Sequence, residues 1–377
     1  MTDAGYEAII IGAGVQGTSA AYHLAEAGIA RILLLEELGA PGRGSSGRSG
    51  SMLMKSRENR TKIALSKYSY DWLLGFEKRF GEPLNFNRIG FLSLVPPDLV
   101  DRYKAEHELR LEMGVPSELV DPGAIRELSP AVETDGIEFG VLGPDDAVID
   151  PDQLVRSYLT GAQRLGAEIH TGEVATGIEV HGGRVRSVFT SSSRVACDIV
   201  VNAAGGNAAA VASWVGVDLP IDNLRRSLFF VECLSPEVQI GPMVEEAGVE
   251  WYFRGLGGGR ALVGMGLEAD GSVSDEPDLA FWAEVQRVAS RRVPAFRDAR
   301  VVSGTSGVRP LTPDILPIVG PVPTVEGFFN TCGWGGEGIM HSPAGGRMLA
   351  DSVLGLETPE IPWEACSIGR TGLAAIK

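Results

Sequence analysis

Tyr6-Glu7-Ala8-Ile9-Ile10-Ile11-Gly12-Ala13-Gly14-Val15-Gln16-Gly17, read onward to Leu33-Leu34-Leu35-Glu36, decides the fold. The unbroken apolar run into Ile11 reads as a strand buried on both faces. A helical pattern through Ala20, Ala21, Leu24 and Ala27 stops at Gly28, and Arg31 to Leu35 repeats the buried-strand signal. Strand, glycine turn, helix and strand open a parallel α/β sheet. The glycines fall as G-x-G-x-x-G: Gly12 for the tight turn, Gly14 for close approach of a pyrophosphate to the backbone, Gly17 for helix–strand packing. The helix N-terminus adds N–H donors and partial positive charge. Glu36 ends the second strand, where its carboxylate can accept ribose hydroxyls, which disfavours a 2′-phosphate.

The chain has 377 residues, more than one hydrophobic core ordinarily serves, so two domains are expected. Its net charge of −16 argues against a nucleic-acid partner, which needs a dense Lys/Arg surface. Cys197, Cys233, Cys332 and Cys366 stand far apart without a CxxC pair, so reduced thiols in a cytoplasmic protein are expected. His23, His107, His170, His181 and His341 show no ligand spacing, and no metal is expected. Nothing approaches the ~20 apolar residues of a membrane span.

Residues 39–51 read as a Gly/Ser-rich loop and 58–80 as one long helix. Short strands such as 90–95 mix with polar helices up to residue 143. Asp150-Pro151 starts a helix to about Leu165. Strands follow over 172–180, 184–190 and 198–202, then through 219–266, with a surface helix over 278–292. Residues 304–356 combine strands, a glycine loop and a closing helix. The expected division is a discontinuous nucleotide-binding domain of residues 1–80, 144–218 and 300–377, and a second domain of 81–143 and 219–299.

The glycine turn alone does not separate FAD from NAD. Gly44-Ser45-Ser46-Gly47-Arg48-Ser49 resembles the "GASGRNAG" loop of the FAD-dependent D-amino-acid oxidase superfamily, and Val200-Val201-Asn202-Ala203-Ala204-Gly205 its "VVNAAG" strand end. Gly307-Val308-Arg309-Pro310-Leu311-Thr312-Pro313-Asp314 is similar to its "GLRPMTPD" segment. Cys332-Gly333-Trp334-Gly335-Gly336-Glu337-Gly338-Ile339-Met340 resembles the glycine loop of glycine oxidase and the sarcosine oxidase β-subunit. The likeness runs from about residue 5 to residue 355, with the motifs in family order. It implies a Rossmann-type FAD-binding domain with a second, antiparallel-sheet substrate domain, as in glutathione reductase and D-amino-acid oxidase. It also implies oxidation of the C–N bond of a small amine or amino acid by hydride transfer to flavin N5, the imine then hydrolysing, with O2 or another acceptor taking the electrons.

By that resemblance the FAD-contacting residues are Gly12, Gly14, Val15, Gln16, Gly17, Glu36, Glu37, Gly44, Ser45, Ser46, Arg48, Ser49, Val174, Ala203, Ala204 and Gly205. From the last motif Gly333, Gly335, Gly336, Glu337, Gly338, Ile339 and Met340 join them, the loop aiming N–H groups at the reduced flavin. Arg48 and Gly307 replace the histidine and cysteine that link FAD covalently in some relatives, which implies non-covalent FAD. Arg309 matches the arginine that grips the substrate carboxylate, with an internal pairing to Asp314 as the alternative reading. Tyr252 matches a substrate-contacting tyrosine, and Met54, Leu267, Trp334 and Met340 are expected along the substrate cavity. The lysine of monomeric sarcosine oxidase is Met340 here, and the second arginine of glycine oxidase is absent near Gly336. Other readings are the flavin subunit of a hetero-oligomeric dehydrogenase acting on proline, opines or glycine in cyanide formation, a non-catalytic flavin-binding module, and a plain NAD dehydrogenase.

Overall fold

The computed structural model describes residues 5–268, 274, 276 and 278–374. Its first sheet grows from the opening unit. Tyr6–Ile11 runs parallel to Ile32–Glu36 on one side and to Arg194–Asn202 on the other, pairing Ile10 with Leu34 and with Val201. Glu168–Thr171 and Phe328–Cys332 extend this parallel core at its two sides. Ile10, Ile32 and Leu34 face one apolar core and Ile9, Leu33 and Leu35 another, which is why these strands read as continuous apolar runs. Ala175–His181 and Arg184–Thr190 add an antiparallel ribbon, and Ile318–Pro321 closes the far side.

The second sheet has eight strands, in the order Arg300–Leu311, Asp222–Glu232, Arg260–Glu268, Trp251–Gly257, Met243–Glu246, Phe91–Val95, Phe139–Gly143 and Glu118–Val120. It is antiparallel except where Met243–Glu246 meets Phe91–Val95. Alternation assigns its faces: Phe229, Val231, Trp251, Phe253 and Val263 pack with Trp282 and Val285 of the helix Leu279–Ala289. Arg226, Leu228, Met243 and Tyr252 face the opposite side, toward the first sheet. A small sheet of Met52–Leu53, Ala147–Ile149 and Phe86–Arg88 joins the two halves.

Three expectations change. Arg300–Leu311 pairs with Asp222–Glu232 along its whole length, so residues 300–311 belong to the second sheet, not to the first domain. The helix expected over 58–80 is two, Arg60–Leu74 and Phe76–Phe80, broken at Gly75 and capped by the Asn59 side chain on the Lys62 N–H. Glu168–Thr171 is a strand that sequence did not suggest, because at the sheet edge it is mostly exposed and polar. The helix Pro151–Arg164 starts where Asp150-Pro151 indicated, with Asp150 accepting from Asp152 and Gln153.

Candidate active site

One cavity of about 1210 Å3 lies between the two sheets. Pockets for drug-sized ligands measure ~300–1,000 Å3, so this volume has room for a dinucleotide together with a small substrate. All of the site residues expected from sequence whose side chains are described line it except Gly17. Gly17 stands behind the turn: a Cβ there would lie 1.9 Å from the Gly12 carbonyl oxygen, so its role is packing. Gly12 needs its positive φ of 101°, and a Cβ would collide with the Ala203 carbonyl at 2.5 Å. Gly14 differs, since a Cβ there would meet only the Ser46 hydroxyl, at 3.3 Å, on the cavity side.

These residues fit FAD. The helix Val15–Glu26 carries no acid in its first turn, so nothing opposes an anion at its N-terminus. Glu36 is buried in the wall, accepting from Ala13 N–H at 2.8 Å and Leu38 N–H at 2.9 Å, which leaves further lone pairs on both oxygens. Burial pushes its carboxyl above the usual range, against the pull of those two bonds. Glu37 holds Asn207 at the mouth, beside Val174, Ala204 and Gly205. In the loop 44–49, Ser46 accepts from Val15 N–H at 3.0 Å, and Ser45 donates to the Val308 carbonyl at 2.7 Å. That second bond ties the nucleotide loop to the strand that carries Arg309. Ser49 accepts from Ser51 N–H. The Arg48 guanidinium turns back onto the Arg43 and Gly44 carbonyls.

The far wall is the glycine loop. Gly335 N–H donates to Pro310 carbonyl, and the N–H groups of Gly338, Ile339 and Met340 have no acceptor among the described residues. Gln16 reaches across to donate to Gly338 carbonyl at 2.9 Å, locking this loop to the helix Val15–Glu26. Glu337, expected at the cofactor, lines the cavity, and one of its carboxylate oxygens is held by Arg57 and by Lys62 at 2.8 Å. Burial pushes the Glu337 carboxyl up, yet the charges of Arg57 and Lys62 hold it below the usual range. Sequence reasoning missed this buried network, because Arg57 and Lys62 carry no motif of their own. Trp334 is mainly structural, its indole lying against Gly345 and donating to Thr331 at 3.1 Å. Met54 and Met340 are buried at the wall, and the Leu267 side chain lies outside the described residues.

On the substrate side, Arg309 projects from Arg300–Leu311 directly over Gly336: a Cβ at Gly336 would lie 2.6 Å from its guanidinium carbon. The pairing with Asp314 does not form, since Asp314 is bound bidentately by Arg370 at 2.7 and 2.8 Å. Arg309 makes no ion pair or hydrogen bond among the described residues. Burial and then the charge of Arg226 lower its basicity from the usual arginine value. Tyr252 lies beside it, its ring over Gly264 and under the Arg226 guanidinium, 4.9 Å from the ring centroid.

A nucleotide cradle at a parallel sheet, walled by an antiparallel one, defines a flavoprotein oxidoreductase. Residues 7–352 match the model of the FAD dependent oxidoreductase family, and the chain belongs to that family. It is 29% identical to mitochondrial dimethylglycine dehydrogenase of Rattus norvegicus, over 94% of this chain and 43% of that protein. The chain thus spans less than half the length of the dimethylglycine dehydrogenases it matches. It is 27% identical to sarcosine oxidase subunit beta of Rhizobium meliloti, over 92% of this chain and 83% of that one. Its fold matches the crystal structure of L-proline dehydrogenase from P. horikoshii with a TM-score of 0.88 at 22% identity, covering 96% of each chain.

Proposed function

We propose that this chain oxidises the C–N bond of an amino acid, primary or N-substituted, whose carboxylate is held by Arg309. The observation that carries the reading is Arg309 itself, a guanidinium with no acid partner among the described residues, in the wall of a cavity that also holds the nucleotide cradle. Arg57 on the same wall and Arg370 behind it are each matched to carboxylates, whereas Arg309 has no such partner among the described residues, which supports its reading as a ligand anchor. FAD, when bound, supplies the two-electron acceptor. The chain's own groups do the rest: Arg309 fixes the carboxylate, Tyr252 borders the same space, and the second sheet excludes water from it. The relatives' names, which refer to dimethylglycine, sarcosine and proline, support an amine-bearing carboxylate as substrate.

Anaerobic mixing of the yellow protein with a panel of amines and amino acids tests this, bleaching by amino acids being the expected result. Arg309→Ala should keep its FAD. Losing one partner of a desolvated ion pair costs ~2–5 kcal/mol, so kcat/KM should fall roughly 30- to several-thousand-fold. Persistent colour with the whole panel would instead indicate a flavin-binding module without turnover. A second reading, a flavin subunit within a hetero-oligomer, is supported by the likeness to the sarcosine oxidase β chain, and co-purification of a partner would establish it. All four cysteines are buried and unpaired, which suits the reducing cytoplasm. No helix among the described residues is long and apolar enough to cross a membrane.

A further inference from the structure

Arg309 does not stand alone on its sheet face. Leu224 is directly opposite Arg309 and Arg226 directly opposite Gly307, so Arg226 and Arg309 are diagonal neighbours on the face that walls the cavity. Diagonal pairs on an antiparallel sheet lie within reach of long side chains. Arg226 is 8% exposed, its Nε has no hydrogen-bond partner among the described residues, and one Nη donates to the Gly266 carbonyl. Among the described residues its ion-pair partner is Glu250 at 3.6 Å, whose side chain is 69% exposed and therefore weakly compensating. Elsewhere on the wall Arg57 pairs with Glu337 and Glu58, and Arg102 and Arg110 pair with Glu106.

Two adjacent guanidinium groups facing one desolvated space repel each other, and a ligand with a single carboxylate would neutralise only one of them. We infer that the substrate carries a second carboxylate, on its side chain or on its nitrogen substituent, and that Arg226 binds it beside Arg309. Arg226 is thus a specificity residue, fixed by Tyr252 beneath it and by Gly266 so that its free edge meets the ligand. This rests on the proposed role of Arg309.

Titrating the FAD-bound enzyme with non-oxidisable acids, and following the flavin spectrum, tests the pair without turnover. Succinate or malonate should bind at least roughly tenfold tighter than propionate or acetate, and aminodicarboxylates should be oxidised with higher kcat/KM than monocarboxylic analogues. Arg226→Gln should bring the dicarboxylate-to-monocarboxylate ratio toward one, and Arg226→Lys should restore part of it, a pattern that loss of sheet support alone would not produce. Should Arg226→Gln fail to hold FAD, the wild-type ratio and the lysine variant still decide. Equal binding of both acids overturns the inference while leaving Arg309 as anchor. Absence of any carboxylate binding overturns both, and a phosphate monoester binding tighter than every dicarboxylate overturns the assignment of the second anion.

Discussion

Alanine at Gly336 would add a single methyl group, and the structure says where it goes. Its Cβ would sit 2.6 Å from Cζ of Arg309 and 2.8 Å from Nε and Nη2, against an ordinary contact distance of about 3.4 Å. The guanidinium must therefore move by about 0.8 Å. Because it is the end of a flexible side chain, the fold and the bound FAD should survive. The carboxylate anchor would be displaced, and a misplacement near 1 Å can cost roughly 100-fold in rate. Gly336→Ala should accordingly lower kcat/KM for the best amino acid by about 10- to 100-fold in steady-state assays, with melting temperature and flavin content near wild type. In an Arg309→Ala background the same methyl has nothing to displace, so the double variant should be no worse than Arg309→Ala alone, a coupling that a double-mutant cycle reads directly. Wild-type kcat/KM in Gly336→Ala, or additive losses in the cycle, would refute the placement of Arg309 over the glycine loop.

Gly14→Val should fold yet purify without FAD, because the side chain projects toward the cavity, whereas Gly17→Val should be poorly soluble, its Cβ falling 1.9 Å from a backbone oxygen; a flavin-replete Gly14→Val would contradict the cradle. Acid precipitation of the native protein should leave FAD in the supernatant, since Arg48 and Gly307 offer no linking nucleophile and burial pushes the Cys332 thiol in the wall up to about 12; a yellow pellet would show a covalent bond. Stability should fall on acidification below neutral pH. Burial holds His23 and His341 at about 4, so the unfolded chain, at 6.5, protonates both first, and the stability present above pH 6.5 is lost as pH falls. Burial raises Asp146 to about 6 from 3.8, so there the folded protein takes the proton first. From these three groups alone, between pH 6 and 5 the unfolded chain binds about two protons against one, a contribution of about 1.4 kcal/mol per pH unit to the loss. Asp146→Asn removes the offset and should roughly double that slope in denaturant titrations with excess FAD; an unchanged slope would dismiss Asp146 as the offsetting group.

The nucleotide cradle was legible because each of its parts is local: three glycines at fixed offsets, a strand on each side and an acid at the end of the second. The FAD dependent oxidoreductase family was legible by resemblance for the same reason, its motifs being short and in order. What escaped notice depends on distant pairing. Arg226 is one arginine in a strand, and only the register that sets Leu224 opposite Arg309 makes it a neighbour of the anchor. Arg57 and Lys62 reach Glu337 across 280 and 275 residues, a relation without periodicity or spacing. The break at Gly75 was hidden because apolar spacing continues through it, and the pairing of Arg300–Leu311 with residues 222–232 was not foreseen because that partner is nearly eighty residues earlier in the chain.

The clamp from Gln16 to the Gly338 carbonyl joins groups 322 residues apart. During synthesis, the turn that receives the pyrophosphate is made before the second sheet begins, but the loop that completes the opposite wall emerges only after both sheets have been translated. No early portion of the nascent chain therefore encloses a flavin. Closure of the cofactor site thus follows translation of both sheets, and FAD that binds the folded chain then adds to its stability by mass action.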